Sequence, residues 1–193
     1  MKSHRGMPPF PEDRMPEAEV SLRLAFHLLS KPNSSGTASV AIDGEQIRCG
    51  DRVIFPIAEF LDEMNWRQIK QIGGNDWHGT YQSDEKEIRI HSNPGRGDVV
   101  TSVGHQTIRA ECKGGPLIHK RGSLEYSIIR GALGQLLTVK QITESDIYVV
   151  AVPNTERFQS LIADWHERPL IKKTQILFAL VDRSGTVDGL DIT

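Results

Sequence analysis

Three polar residues have types and a spacing that could support hydrolysis of a phosphodiester bond. Asp98 precedes, by a short stretch of chain, the segment Glu111-Cys112-Lys113. Alternate side chains of a strand share a face, so we expect Glu111 and Lys113 to point one way while Cys112 points into the core. If a hairpin turn joins the strand of Asp98 to this one, Asp98 reaches the same face. Two carboxylates and an ammonium group would then lie together at the end of a hairpin.

The two carboxylates predict a divalent metal site. Hard oxygen donors such as Asp98 and Glu111 suit Mg²⁺ or Mn²⁺ rather than zinc. A lysine such as Lys113, next to a metal-bound water, could orient that water or stabilise charge on a phosphate oxygen. The structural alternative for the same residues is an exposed ion pair across two strands.

The composition is that of a globular protein. The chain has 193 residues, of which 38% are hydrophobic and 25% charged, which is enough apolar material for a core. Its net charge of -2 argues against a protein that coats nucleic acid. The charge is uneven, because residues 109–140 contain six basic and two acidic residues and so carry +4. A solvated face is the alternative explanation of this basic stretch.

Neither a membrane segment nor a secretory signal is visible. No apolar run approaches the ~18 residues that a membrane-spanning helix needs, and residues 1–14 lack the apolar centre of a signal peptide. Two cysteines are too few for a disulfide framework. We therefore expect a cytoplasmic protein with no membrane partner. Residues 1–16, which are rich in proline, predict an extended arm, and residues 17–193 a single domain.

The hydrophobic pattern predicts an α/β fold. Helices are expected over residues 16–30, 57–69, 124–137 and 158–165, and strands over residues 38–42, 77–81, 87–91, 98–100, 107–113, 147–152 and 175–181. Residues 43–44 predict a tight turn, after which residues 46–48 would pair with strand 38–42. The continuous apolar run at 147–152 indicates a strand covered on both faces. The order of elements predicts a mixed β-sheet flanked by helices, with an N-terminal helix–hairpin–helix elaboration.

The pattern of Asp98 followed by Glu111-x-Lys113, placed on hairpin strands before a helix–strand unit, resembles the PD-(D/E)XK superfamily of restriction-endonuclease-like nucleases. The resemblance covers about residues 77–152. It implies a restriction-endonuclease-like core of element order αβββαβ and a divalent-metal nuclease acting on DNA. Asp98 and Glu111 would be the metal ligands, and Lys113 would stand next to the attacking water. Gly97 occupies the position at which the family usually has a proline.

The resemblance implies further site residues. Many members of the family place a glutamine on the following helix, where this chain has Gln135. An early helix often supplies another glutamate, for which Glu19 is the first candidate and Glu63 the second.

The basic stretch supplies candidates for contacts with DNA phosphates. They are His119, Lys120, Arg121 and Arg130. Cutting both strands with one site per chain would favour a homodimer. Two other function classes stay open: a non-catalytic nucleic-acid-binding or regulatory module on the same fold, and a small soluble interaction domain in which the motif is accidental.

Overall fold

The computed structural model describes residues 11–44, 47–49, 52–93, 95, 97–118 and 124–192. Within these ranges, no helix is long and apolar enough to cross a membrane. The helices are α1 (Glu17–Leu29), α2 (Ile57–Glu63), α3 (Glu125–Leu136), α4 (Glu156–His166) and α5 (Pro169–Thr174). The strands are β1 (Arg14–Met15), β2 (Ser34–Ala41), β3 (Arg48–Cys49), β4 (Arg52–Val53), β5 (Arg67–Gln71), β6 (Gly79–Ser83), β7 (Lys86–His91), β8 (Val99–Val103), β9 (Gln106–Cys112), β10 (Gly115–Pro116), β11 (Asp146–Pro153), β12 (Leu177–Val181) and β13 (Val187–Asp188).

Nine strands form one mixed sheet, in the order β13-β12-β11-β9-β8-β2-β7-β6-β5. Strand β2 pairs antiparallel with β8 and parallel with β7, β8 pairs antiparallel with β9, and β9 pairs parallel with β11. The strands β2, β8, β9 and β11 therefore lie side by side in the sheet, in the same order in which they occur along the chain. With α1 before β2 and α3 between β9 and β11, these elements run α-β-β-β-α-β, and the segment from β3 to β7 is inserted between β2 and β8.

The helices cover the two faces of the sheet unequally. Helix α1 packs across β2, β8, β9, β11 and β12 on one face. Its outer side is covered in turn, since the ring of Phe26 stacks on Phe60 of α2 with centroids 6.0 Å apart and on Trp66 at 5.2 Å. On the opposite face, α3 packs against β9 and β11, and α4 against β12. A mixed sheet flanked by helices, as predicted, is therefore present.

Strand β11 is buried on both faces, which confirms the interpretation of its continuous apolar run. It lies between two parallel neighbours, β9 and β12. Val149 and Ala151 belong to the core beneath α1, and Val150 and Val152 belong to a second core beneath α3 and α4. Alternate side chains of one strand thus serve two separate cores.

The predicted helix over residues 57–69 is too long. Helix α2 ends at Glu63, and Asn65 takes a left-handed φ of 61°, a conformation that commonly terminates helices. The chain then turns Trp66 into the core, where it is 6% exposed. Residues Arg67–Gln71 follow as strand β5 and pair with β6. Hydrogen bonds at the edge of the sheet thus take the place of those that another helical turn would have made.

The predicted pairing of strand 38–42 with residues 46–48 is wrong. Both edges of β2 are occupied, one by β7 and the other by β8. The short hairpin between α1 and α2 is instead formed by β3 and β4. The structure also contains elements that the sequence did not predict, namely helix α5 and the two-residue strands β1, β4, β10 and β13. Helix α5 has no buried residue and so leaves no apolar stripe to detect. The remaining predicted helices and strands are present, with ends displaced by a few residues.

The predicted N-terminal arm falls partly outside the described residues, which begin at residue 11. Its last residues are paired, because Arg14 and Met15 form β1 against β10. Met15 is fully buried. This end of the arm is therefore part of the folded domain, and it brings the start of α1 next to the end of β9.

Candidate active site

Asp98 is fixed at the start of the β8–β9 hairpin. Its N–H donates to the carbonyl of Ala110 at 2.8 Å, and its carbonyl accepts the N–H of Ala41 at 2.8 Å. Its side chain accepts the N–H of Cys112 at Oδ2, also at 2.8 Å. Asp98 therefore lies directly across from Glu111, in the arrangement that the hairpin predicts.

The backbone conformation of Gly97 explains why this chain has no proline before Asp98. Its φ is +133°, and a Cβ at this position would lie 3.0 Å from the carbonyl oxygen of Ala110. Proline fixes φ near about −65° and could not adopt this conformation. Glycine allows the backbone to approach Ala110 closely enough for Asp98 to bond to it.

Glu111 is 7% exposed and Lys113 is partly exposed, whereas Ala110 and Cys112, on the other face of the strand, are fully buried. The Lys113 Nζ lies 2.8 Å from Glu111 Oε1. The backbone of Lys113 is held by the neighbouring strand, since its N–H donates to Ala151 at 2.8 Å. The alternation expected from the sequence is confirmed, and the two side chains form an ion pair at the end of β9.

The α1 glutamate that contacts Lys113 is Glu17, which was not among the residues predicted from the sequence. Its Oε1 lies 3.3 Å from the Nζ of Lys113. The approach depends on Gly114, where a Cβ would lie 2.6 Å from the Glu17 nitrogen and 2.7 Å from the Met15 carbonyl oxygen. The Gly114-Gly115 pair that follows the motif was the sequence signal for such a close approach.

Glu19, the predicted candidate, is placed elsewhere. It is fully buried and forms ion pairs with Arg23 at 2.9 Å and with Arg183 at 3.0 Å. Glu63, the second candidate, is exposed at the end of α2. The structure therefore brings Glu17 to Lys113, and it gives Glu19 two arginine partners instead.

Gln135 shares a cavity with Glu111. The cavity has a volume of about 540 Å³ and is lined by Gly95, Gly97, Glu111, Gln135, Leu136, Thr138, Val139, Lys140 and Gln141. Its walls are the loop before Asp98, the end of β9 and the end of α3 with the segment after it. This is enough room for part of a substrate to lie against Glu111, with polar side chains around it.

The predicted phosphate-contacting residues are not all described. Residues His119, Lys120 and Arg121 lie outside the described residues. Arg130 is exposed on α3, with its guanidinium carbon 5.8 Å from the centre of the Tyr126 ring.

The pKa values of Asp98 and Lys113 are shifted at this site. Burial and the negative charge of Glu111 raise the pKa of Asp98 from 3.8 to about 7, against the opposing effects of the Cys112 N–H and Lys113. Burial alone would lower the pKa of Lys113, but the bond to Glu111 and the charges of Glu17, Glu111 and Asp98 raise it above its ordinary value. The site thus holds more negative charge than its one lysine neutralises, which favours a cation.

The donor set can be tested against a metal ion. Among the described residues, no group of three or more His, Cys, Asp or Glu side chains is arranged to hold one. Mg²⁺, however, is commonly held by one or two carboxylates while it keeps several waters. Asp98 Oδ1 and Glu111 Oε2 accept no hydrogen bond from a described residue, and their hard oxygens suit this ion. The pair therefore fits Mg²⁺ or Mn²⁺ bound largely through water.

Cys112 is not a candidate nucleophile. It is a free, fully buried cysteine, and burial raises the pKa of its thiol well above the ordinary value. Only the thiolate is strongly nucleophilic, so Cys112 acts as a small core residue, as predicted.

Comparison of the chain with protein-family models, with curated proteins and with solved structures found no match.

Proposed function

We propose that this chain is a metal-dependent nuclease that hydrolyses phosphodiester bonds of DNA. The observation that carries the proposal is the meeting of Asp98, Glu111 and Lys113 at one end of the β8–β9 hairpin, with Nζ 2.8 Å from Glu111 Oε1. A surface ion pair would need one carboxylate. Here a second carboxylate is held beside the first although its pKa is raised to about 7, and perturbed groups of this kind cluster at functional sites.

The order of elements also supports a restriction-endonuclease-like core. Elements α1, β2, β8, β9, α3 and β11 have the α-β-β-β-α-β order that the resemblance implies. The site lies on the hairpin of the second and third of these strands, and Gln135 lies on the following helix. In this proposal, the segment from β3 to β7 is an addition to that core.

Each residue has a distinct part in the proposed reaction. Asp98 and Glu111 would hold the metal ion, which supplies a Lewis acid and an activated water. Lys113 would donate a hydrogen bond to the attacking water or to a phosphate oxygen. Glu17 would keep the ammonium group in place from the opposite side, and Gln135 would face the substrate in the cavity.

The test is nicking of supercoiled plasmid by the purified protein with Mg²⁺, Mn²⁺ or EDTA. We expect nicking with either metal ion and none with EDTA. Asp98→Asn should abolish it, while Asp164→Asn, at an exposed position of α4, should leave it unchanged. Binding of DNA without nicking would favour the non-catalytic module, and neither binding nor nicking would favour the interaction domain.

The products would also report the number of chains that act together. A single chain has one such site, so a cut through both strands in one encounter requires two chains. Linear plasmid that appears together with the nicked form would support a homodimer.

A further inference from the structure

One face of the sheet is open beside the candidate site. On β2, β7, β8 and β9 the side chains alternate between the core beneath α1 and this second face. Val40, Ile88 and Ile90 are buried on the core side, whereas Ser39 and Arg89 are partly or fully exposed. No described helix packs on the second face over β2 and β7. The open side chains therefore form a polar surface instead of a second core.

A single row of paired residues crosses this face. Its members, one from each of seven neighbouring strands, are Lys70, Thr80, Arg89, Ser39, Val100, Arg109 and Tyr148. Residues that pair directly across strands share a face. At the usual spacing between strands, the row is about 29 Å long, and its last two members, Arg109 and Tyr148, lie on β9 and β11, which α3 covers on this face. We call these seven residues the cross-strand row.

The candidate site lies in the adjacent row on the same face. Asp98 and Glu111 are each two residues from a member of the cross-strand row, Val100 and Arg109 respectively. Two residues along a strand are about 7 Å. A polymer lying on the uncovered part of the cross-strand row, from Lys70 to Val100, would therefore end beside the two carboxylates.

The charge of the cross-strand row is positive. Lys70 and Arg89 are exposed, and neither forms an ion pair with a described residue. Arg109 is neutralised by Asp146, at 2.7 Å. The row itself contains no acid, so Lys70 and Arg89 are two positive charges of the row that no ion pair neutralises, on a chain whose net charge is -2.

We propose that the cross-strand row binds the phosphate backbone of a DNA duplex and leads it to the candidate site. The proposal rests on the proposed nuclease function and names the surface that receives the substrate. Lys70 and Arg89 each contact a phosphate, and the hydroxyl group of Thr80 adds a hydrogen bond of the kind that positions a backbone without reading its sequence; the Ser39 hydroxyl is bonded to His91 Nε2 at 2.8 Å. The surface belongs in large part to the segment inserted between β2 and β8.

The experiment measures binding without cleavage. Fluorescence anisotropy of a labelled duplex of about 30 base pairs is followed in EDTA, between about 50 and 200 mM KCl. The variant is Lys70→Gln/Arg89→Gln. The control is Arg157→Gln/Lys173→Gln, which removes two exposed positive charges from α4 and α5. Thermal melting of both variants checks that they fold.

We expect the row variant to bind about tenfold more weakly than wild type at the lowest salt concentration. The plot of log affinity against log salt should also become less steep by about 1.8, which is about 0.9 for each lost phosphate contact. The control variant should bind as wild type does. Equal losses in both variants, an unchanged row variant, or no binding by wild type would each overturn the proposal.

The two proposals can fail separately. A protein that binds the duplex through the cross-strand row but does not nick plasmid with Mg²⁺ would overturn the nuclease function alone. Mg²⁺-dependent nicking together with normal binding by the row variant would overturn the cross-strand row alone.

Discussion

Lys113 lies between two carboxylates, with its Nζ 2.8 Å from Glu111 and 3.3 Å from Glu17. An ammonium group cannot ligate a metal ion, so this lysine can contribute to the chemistry but not to metal binding. Lys113→Met keeps most of the apolar stem and removes the charge and its donors.

We expect Lys113→Met to reduce single-turnover DNA cleavage by about two to four orders of magnitude. Metal affinity, followed by the rise in melting temperature with Mg²⁺, should stay the same or increase because a repelling charge is lost. Lys173→Met, at an exposed position of α5, serves as the control. A cleavage rate equal to that of wild type would show that Lys113 has no catalytic part.

Asp98 should make stability depend on pH. Its pKa is raised from 3.8 to about 7 in the folded protein, so the folded state keeps a proton that the unfolded chain releases. Stability without metal should therefore fall as pH rises through that interval. Asp98→Asn can still accept the Cys112 N–H but carries no charge. We expect this variant to be more stable than wild type at high pH, by about 2 to 4 kcal/mol.

Urea unfolding in EDTA, at a series of pH values, measures this effect. The free-energy difference between Asp98→Asn and wild type should be largest near about pH 8, where the folded carboxyl has lost its proton. It should shrink to a small fraction of that value near about pH 4, where the folded carboxyl is protonated and uncharged like the amide. A difference that does not change with pH would mean that Asp98 titrates normally.

At the scale of elements, the contact between α1 and the end of β9 depends on Gly114. An added Cβ would meet the backbone of Met15 and Glu17 at 2.7 and 2.6 Å, and backbone atoms cannot rotate away as a side chain can. Gly114→Ala should therefore push the start of α1 from Lys113. We expect a loss of about 1 to 3 kcal/mol of stability, with a loss of cleavage activity.

Gly131→Ala is the matched control for this prediction. Gly131 lies within α3, and a Cβ at this position would meet no atom within 4 Å beyond its own helix backbone and chain neighbours. Alanine is also the better helix former by about 1 kcal/mol. The control should be as stable as wild type or more so in the same denaturation experiment. Equal behaviour of the two variants would refute the close approach at Gly114.

The sequence allowed the hairpin of the site to be predicted, because its determinants are local. A turn between β8 and β9 and the alternation along β9 are sufficient to bring Asp98 to the same face as Glu111. The glutamate of α1 that contacts Lys113 could not be identified from the local sequence. Glu17 and Glu19 differ by about 200° around α1, and which of them faces Lys113 depends on how α1 approaches Gly114, a contact between distant parts of the chain.

The position of β2 could not be predicted for the same reason. Its pattern marks it as a strand, but both of its partners, β7 and β8, are far away in sequence. The turn residues that follow it, Asp43-Gly44, favoured a local partner instead. Helix α2 was misjudged at its end, because the apolar spacing of Trp66 and Ile69 also fits a helix and only the left-handed Asn65 breaks it.

At the scale of the whole molecule, Glu19 connects α1 to the turn after β12. Its buried carboxylate pairs with Arg183 and with Arg23. Glu19→Gln would leave both arginines without their charged partner and should cost about 3 kcal/mol of stability. Glu17→Gln should cost much less, because its side chain is partly exposed, yet it should lower cleavage.

Chemical denaturation and plasmid nicking, measured on both variants, separate these two roles. Glu19→Gln should show an earlier unfolding midpoint and near-normal cleavage wherever it remains folded. Glu17→Gln should show a near-normal unfolding midpoint and reduced cleavage. If Glu19→Gln impaired cleavage while its stability stayed normal, Glu19 would belong to the site after all.

The contacts of α1 also determine when the site can form. Glu17 is separated from Lys113 by 96 residues, and Glu19 from Arg183 by 164. Contacts so distant in sequence form slowly, and during synthesis the helix emerges long before either partner. A growing chain would therefore carry Glu17 long before Lys113 and Gln135 have been made, and the proposed site could form only after α3 and β11 had been added.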